Sequence, residues 1–207
     1  MLEITTRTLL ISGVSTLLAA VIWVPLGCLI YFYEFRGKRL LINIVQTLYS
    51  LPAVFVGLLV FMAFSREGPL GYFGILFTPQ VMIIGQFILI GPIVAGLTIS
   101  ALNGVSREIR DTAISLGASR FQTMGTILIE ARFATLTAVL VGFGRAISEV
   151  GVAIMVGGNI AGYTRVLSTS IALETTQGSI GRPLALGMIL ISMALAVSIL
   201  VNRLQQR

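Results

Sequence analysis

The chain has 207 residues, of which 56% are hydrophobic and only 11% charged, and its mean hydropathy is +0.99. Soluble domains carry about 25% charged residues, so this composition excludes a soluble fold and points to an integral membrane protein. With no His and a single Cys, Cys28, the chain lacks the usual zinc, haem and iron–sulfur ligand sets and any intrachain disulfide. Neither a metal nor another cofactor is expected, and the net charge of +6 is read as a topology signal, with no nucleic-acid partner implied.

A membrane-crossing helix needs about 20 mostly apolar residues, because a hydrocarbon layer of about 30 Å is crossed at about 1.5 Å per residue. Five stretches qualify: residues 9–32, 40–64, 81–102, 133–156 and 184–201. They predict an all-α polytopic membrane protein forming one domain over residues 1–207. The first stretch reads as a retained helix. Its apolar run exceeds the 7 to 15 residues usual for a secretory signal core, and its flank sets only Arg7 against Glu3. Pro25, Pro52 and Pro92 fall inside the first three spans, where each removes a backbone donor and favours a kink.

The basic residues assign the sides. The turn after the first span holds Arg36, Lys38 and Arg39, the link between the third and fourth holds Arg107, Arg110, Arg120 and Arg132, and the tail holds Arg203 and Arg207. These nine residues fall on one side of five alternating spans, against four opposite: Arg7, Arg66, Arg165 and Arg182. The nine-residue side is therefore expected to be cytoplasmic, with the N-terminus outside and the C-terminus inside.

The link over residues 103–132 is too polar for lipid. Val105, Ile109, Thr112 and Leu116 recur at spacings of four, three and four, marking one helical face, with Arg107, Glu108, Arg110 and Asp111 on the rest of the cylinder. Gly117 permits a left-handed exit, after which Phe121, Met124 and Leu128 begin a second apolar stripe. Two short helices joined by a bend are expected. From the pattern alone they either fill a groove on a soluble partner or rest on the membrane interface.

In the fourth span, Arg145 and Glu149 stand four residues apart on one helical face, with Arg145 about 18 Å along the helix from Phe133 and so near mid-membrane. Intramembrane charge is costly, so the pair is expected to face protein or water. It neutralises itself and fixes packing, or lines a translocation path, or opens and closes as a gate. Gly144, Ser148 and Gly151 form a small-residue face beside it that favours close helix approach across a dimer axis. The link that follows, 157–183, contains at 167–173 a short half-buried helical pattern.

The segment Asp111-Thr-Ala-Ile-Ser-Leu-Gly117-Ala-Ser-Arg120 resembles the cytoplasmic coupling motif of ABC importer permeases, written EAA, three intervening residues, then G. Asp111 stands for the usual Glu and Thr112 for the first Ala, whereas Ala113 and Gly117 match. Ile127 keeps the longer spacing, but Ile129-Glu130 replaces a Leu-Pro. Two further stretches, Arg145-Ala-Ile-Ser-Glu149-Val-Gly151 followed by Gly-Asn159-Ile160, and Leu51-Pro52-Ala-Val-Phe-Val-Gly57, are similar to runs in permeases for molybdate, tungstate and sulfate.

The resemblance implies an ABC importer permease (MetI-like) core in a prokaryotic cytoplasmic membrane, most like the tungstate branch. Partners implied are a second copy of the chain, a cytoplasmic dimer of ATP-binding subunits, an extracytoplasmic oxyanion-binding protein and membrane lipid. No catalytic residue is expected, since the chain has no nucleotide-binding loop. The resemblance assigns Asp111, Thr112, Ala113, Leu116, Gly117, Ala118, Ser119 and Arg120 to ATPase coupling, and the intramembrane-charge reading makes Arg145, Ser148, Glu149, Gly151 and Asn159 the candidates for the pathway or gate. The alternatives are a molybdate or sulfate permease, or an ion-gradient-driven secondary carrier that uses the Arg145–Glu149 pair without ATP.

Overall fold

In the computed structural model, residues 1–205 are described; Arg207, counted in the basic tail, lies outside them. The described residues form ten α-helices: α1 (Leu2–Phe32), α2 (Lys38–Thr47), α3 (Ala53–Phe64), α4 (Pro79–Asn103), α5 (Arg107–Ser115), α6 (Arg120–Glu130), α7 (Arg132–Ile147), α8 (Gly151–Gly157), α9 (Leu167–Thr176) and α10 (Gly181–Gln205).

Helix α1 is apolar on the outside and polar on the inside. Its buried face is Thr8, Ile11, Ser12, Ser15, Thr16 and Ala19, whereas Leu10, Leu17 and Val21 are exposed. That inversion of the soluble pattern suits a lipid solvent, in which small residues permit close packing. The buried hydroxyls return hydrogen bonds to their own helix, Ser15 to the Ile11 carbonyl at 2.6 Å and Thr16 to that of Ser12 at 2.7 Å.

Helix α4 is the central post, packed against α1 and α7 and more lightly against α8, α2 and α3. Its small residues set the approach distances, since any side chain at Gly85, Gly91 or Gly96 would overlap Val152, Trp23 or Tyr49 respectively. One apolar cluster gathers Ile11, Val60, Met82, Val152 and Val156 toward one end, and another joins Leu102, Ile127 and Ala131 at the end where α1 finishes.

Among the described residues, three stretches, α1, α4 and Gly181–Ile199 of α10, are individually long and apolar enough to cross a membrane. The count reaches five only when two bent pairs each serve as one span: Lys38–Ser50 with Ala53–Phe64, bent by 99°, and Arg120–Glu130 with Arg132–Ile147, bent by 58°. The expected straight helix over 40–64 is therefore divided at Pro52, the N-cap of α3, where the extended backbone (φ −60°, ψ 124°) stops the preceding turn. Pro25 and Pro92 lie within continuous helices. The expected span over 133–156 is also interrupted, because α7 ends at Ile147 and α8 begins at Gly151.

The two ends of the molecule are distinct. At one, Arg7 donates to the carbonyls of Arg165 (3.1 Å) and Gly162 (2.7 Å), tying the start of α1 to the loop between α8 and α9. At the other, Arg120 reaches the Phe32 carbonyl at 3.4 Å, bringing α6 to the finish of α1.

Candidate functional site: an exposed knuckle and a broken helix

The segment from Arg107 to Glu130 is built by end-capping chemistry. Helix α5 stops because Gly117 takes φ +81°, the left-handed region that costs L side chains roughly 1–2 kcal/mol. Gly117 N–H then donates to the Ile114 carbonyl at 2.9 Å and Ala118 N–H to that of Ala113 at 3.0 Å, which closes the helix end. Two residues later Ser119 opens α6 with a reciprocal cap: its Oγ accepts from Gln122 N–H, and its own N–H donates to Gln122 Oε1 at 2.8 Å. Stop and start are thus both written into Leu116 to Gln122, so the bend is a defined shape.

The bend displays apolar groups. Leu116 is 83% exposed and Phe121 79%, with Ile114 beside them. Of the ridge expected on α5, Val105 and Ile109 are half-buried, whereas Thr112 and Leu116 are exposed. On α6 the inward face is Thr123 and Ile127, so Phe121 and Leu128 of the expected stripe remain uncovered. Asp111, Thr112, Ser119 and Arg120 are exposed on the same segment, and Ala113 and Ala118 are half-buried. Arg120 also lies over the Tyr33 ring, 5.8 Å from its centroid.

The second region is the interruption between α7 and α8. Arg145, in the last turn of α7, pairs with Glu149 in the gap, a cation placed favourably at a helix C-terminus. Glu149 is 2% exposed, and its Oε1 accepts from the Val152 N–H at 3.1 Å at the start of α8. Its backbone carbonyl accepts from Ser168 Oγ of α9 at 2.7 Å. One buried acid therefore joins three helices. Arg145 keeps 35% side-chain exposure, on a face shared with exposed Ser148 and with Gly144, whose missing Cβ would meet nothing within 4 Å.

Gly151 does not share that open face. A Cβ there would sit 2.8 Å from Val54 and 3.0 Å from the Val54 backbone nitrogen, so Gly151 lets the starts of α3 and α8 touch. Asn159 lies beyond α8, with φ +49° and its Oδ1 accepting from Arg165 Nε at 3.2 Å. The structure brings together Arg145, Glu149 and Ser148 but not Asn159, whose side chain braces the loop.

Two residues at the break escaped sequence reasoning. Gln86 of α4, 2% exposed, donates to the Ala146 carbonyl at 3.1 Å and accepts from Ser15 Oγ at 3.1 Å, bracing the finish of α7. A lone Gln inside an apolar span was the available signal. Ser168 gave none, since a serine in a loop-flanked helix is commonplace.

Comparison with known proteins agrees with this architecture. Residues 23–207 match the family described as the binding-protein-dependent transport system inner membrane component. A probable anion ABC transporter permease protein of Haloferax volcanii is 37% identical, covering 100% of this chain and 91% of its own. The tungstate uptake system permease protein of Peptoclostridium acidaminophilum is 39% identical, covering 95% and 86% respectively. The fold matches a chain of the MetNI methionine ABC transporter in an inward-facing form with a TM-score of 0.78 at 19% identity, over 96% of this chain and 91% of that one. From its match over residues 23–207, the chain belongs to the family of inner membrane components of binding-protein-dependent transport systems.

Proposed function

We propose that this chain is the permease subunit of an ATP-driven tungstate importer, working as a homodimer with a separate ATPase and an extracytoplasmic binding protein. The observation that carries the substrate is the 39% identity, over 95% of this chain, to a permease named for tungstate uptake. A broader oxyanion specificity is the second reading, favoured by the relative named only for anions.

The knuckle around Gly117 supplies the contact with the ATPase. Leu116 and Phe121 are large, apolar and uncovered, the properties of an anchor that fills a pocket on a partner. Arg120 reaches the finish of α1, and α6 runs into α7, so displacement of the knuckle is transmitted to both helices. The family's dependence on binding proteins takes away the ground for a secondary carrier.

Arg145 directs positive charge to the pathway. Its partner Glu149 is sunk among α7, α8 and α9, so the pair presents a guanidinium to the open face and keeps the carboxylate inside. With five spans at most among the described residues, a conduit needs a second copy, and the face carrying Gly144, Arg145 and Ser148 is the one assigned to the two-fold axis. The basic residues clustered at the end where α1 finishes support an orientation with the N-terminus outside.

Uptake of labelled tungstate into vesicles holding the permease, its ATPase and its binding protein tests the reading. Uptake is expected to require ATP and to resist unlabelled molybdate and sulfate. Equal competition by the three anions selects the broader specificity, and ATP-independent uptake rejects the importer.

A further inference from the structure

Behind the knuckle, on the side facing the membrane helices, α5 and α6 close a cavity of about 680 Å³ against the finish of α1, the start of α2 and the finish of α4. Its volume lies in the range of small-ligand sites. Four cationic side chains line it, Lys38, Arg107, Arg110 and Arg120, against one carboxylate, Glu34. That acid is engaged: Lys38 Nζ donates to Glu34 Oε1 at 2.8 Å and to the Tyr31 carbonyl at 2.7 Å. Arg120 is turned to the Phe32 carbonyl and the Tyr33 ring.

Arg107 and Arg110 are different. Neither forms an ion pair among the described residues, although Glu108 and Asp111 follow them directly along α5. Those two acids point elsewhere and do not line the cavity. The lining therefore carries a net three positive charges, four cations less Glu34, with two guanidiniums uncommitted. Asn103 and Ser106 add neutral donors, and the Ser106 side chain makes no capping bond to its own helix. A concave surface with unpaired planar cations and neutral donors has the chemistry that recognises a tetrahedral dianion, in which each guanidinium spans two oxygens.

We propose that this cavity binds a tetrahedral oxyanion group, presented either by a free dianion or by the phosphate of an anionic lipid headgroup. Bound there, the anion joins Arg107 and Arg110 of α5 to Lys38 of α2 and holds the coupling segment against the membrane helices. The inference goes beyond the transport reading and draws on it only for the side of the membrane. Binding to the chain alone needs neither ATPase nor binding protein, so its failure and a failure of the uptake experiment are read separately.

The test is thermal melting of the purified full chain in phosphatidylcholine nanodiscs, titrated with sodium tungstate, sulfate or phosphate against sodium chloride of matched ionic strength. A parallel series adds phosphatidylglycerol to the nanodisc. A melting shift beyond that of chloride is expected from one series. The Arg107→Gln, Arg110→Gln double variant is expected to weaken that binding by about ten-fold or more. Its unliganded melting temperature should be unchanged, because both side chains are exposed. Each single Gln variant supplies the same comparison if the double variant melts early, and Arg→Lys at both positions should retain most of the binding. A shift with free anions in phosphatidylcholine alone assigns a soluble ligand, and one that appears only with phosphatidylglycerol assigns a headgroup. No shift in either series, or a shift that survives the Gln variants, overturns the proposal.

Discussion

Glu149 is the residue on which most of the broken helix depends. Its carboxylate answers Arg145 and the Val152 N–H, and its carbonyl answers Ser168, so removing it strands a cation and an amide together. Breaking a buried pair from one side costs about 3–5 kcal/mol. Arg145 keeps 35% exposure and can be partly hydrated, which favours the lower end, about 3 kcal/mol, for Glu149→Ala. Glu149→Gln keeps an oxygen for the Val152 N–H and should lose less. Arg145→Gln strands a carboxylate that is only 2% exposed, so it should destabilise at least as much as Glu149→Ala and also lose uptake, whereas Arg145→Lys keeps the charge and should melt nearer wild type. The comparison is thermal unfolding in lipid nanodiscs alongside vesicle uptake. Equal unfolding of Glu149→Ala and wild type would show that the acid does not hold the break. The spacing of Arg145 and Glu149 made the pair legible in the sequence. The interruption of the helix between them was not, because the run from Phe133 to Val156 is apolar on both sides and contains no proline. What stops α7 is tertiary: Gln86 from α4 and Ser168 from α9 take up groups that a continuous helix would satisfy internally.

At the scale of the element, the segment proposed for coupling shows why local signals carried further than span signals. Gly117, Ser119 and Gln122 act within a few residues of one another, so the sequence predicted a bend at Gly117 and the structure has one there. The bent second span is different. Pro52 announced a kink, but the 99° angle goes with tertiary packing, α2 lying against α4 and α3 chiefly against α8, which no local pattern encodes. The exposed knuckle gives a separable prediction. Leu116→Asp and Phe121→Asp replace side chains that touch little of the chain itself, so the melting temperature of the permease should stay within error of wild type. Each should weaken association with the ATPase by about 2 kcal/mol, roughly thirty-fold, as loss of an anchor residue does. Co-purification of the ATPase with each variant reads this directly. Gly117→Trp should act likewise, with added strain at φ +81°. ATPase retained at wild-type levels by both Asp variants would move the docking surface off the knuckle.

For the whole molecule, the structure fixes which segments share an end, while the basic residues supply the direction. Arg7, Gly162 and Arg165 lie together at one end, and Phe32, Lys38, Arg107 and Arg120 at the other. Any orientation must therefore carry each group across as a unit. A wrong count of spans would not change this, because the contacts between α1 and the loop before α9 close at the N-terminal end whatever the course of α2 and α3. Thiol labelling of whole cells turns the argument into a measurement. In a Cys28→Ser background, Tyr163→Cys places a thiol on an exposed loop position at the first end, and Leu116→Cys places one on the knuckle at the second. A membrane-impermeant maleimide should label the first in intact cells and the second only after permeabilisation. The reverse pattern would put the knuckle outside and so deny it any cytoplasmic ATPase. The expected pattern would set the cationic cavity behind the knuckle on the side where imported anion arrives, so that a free anion bound there would be drawn from the pool that transport fills, whereas a headgroup would be held whatever that pool contains.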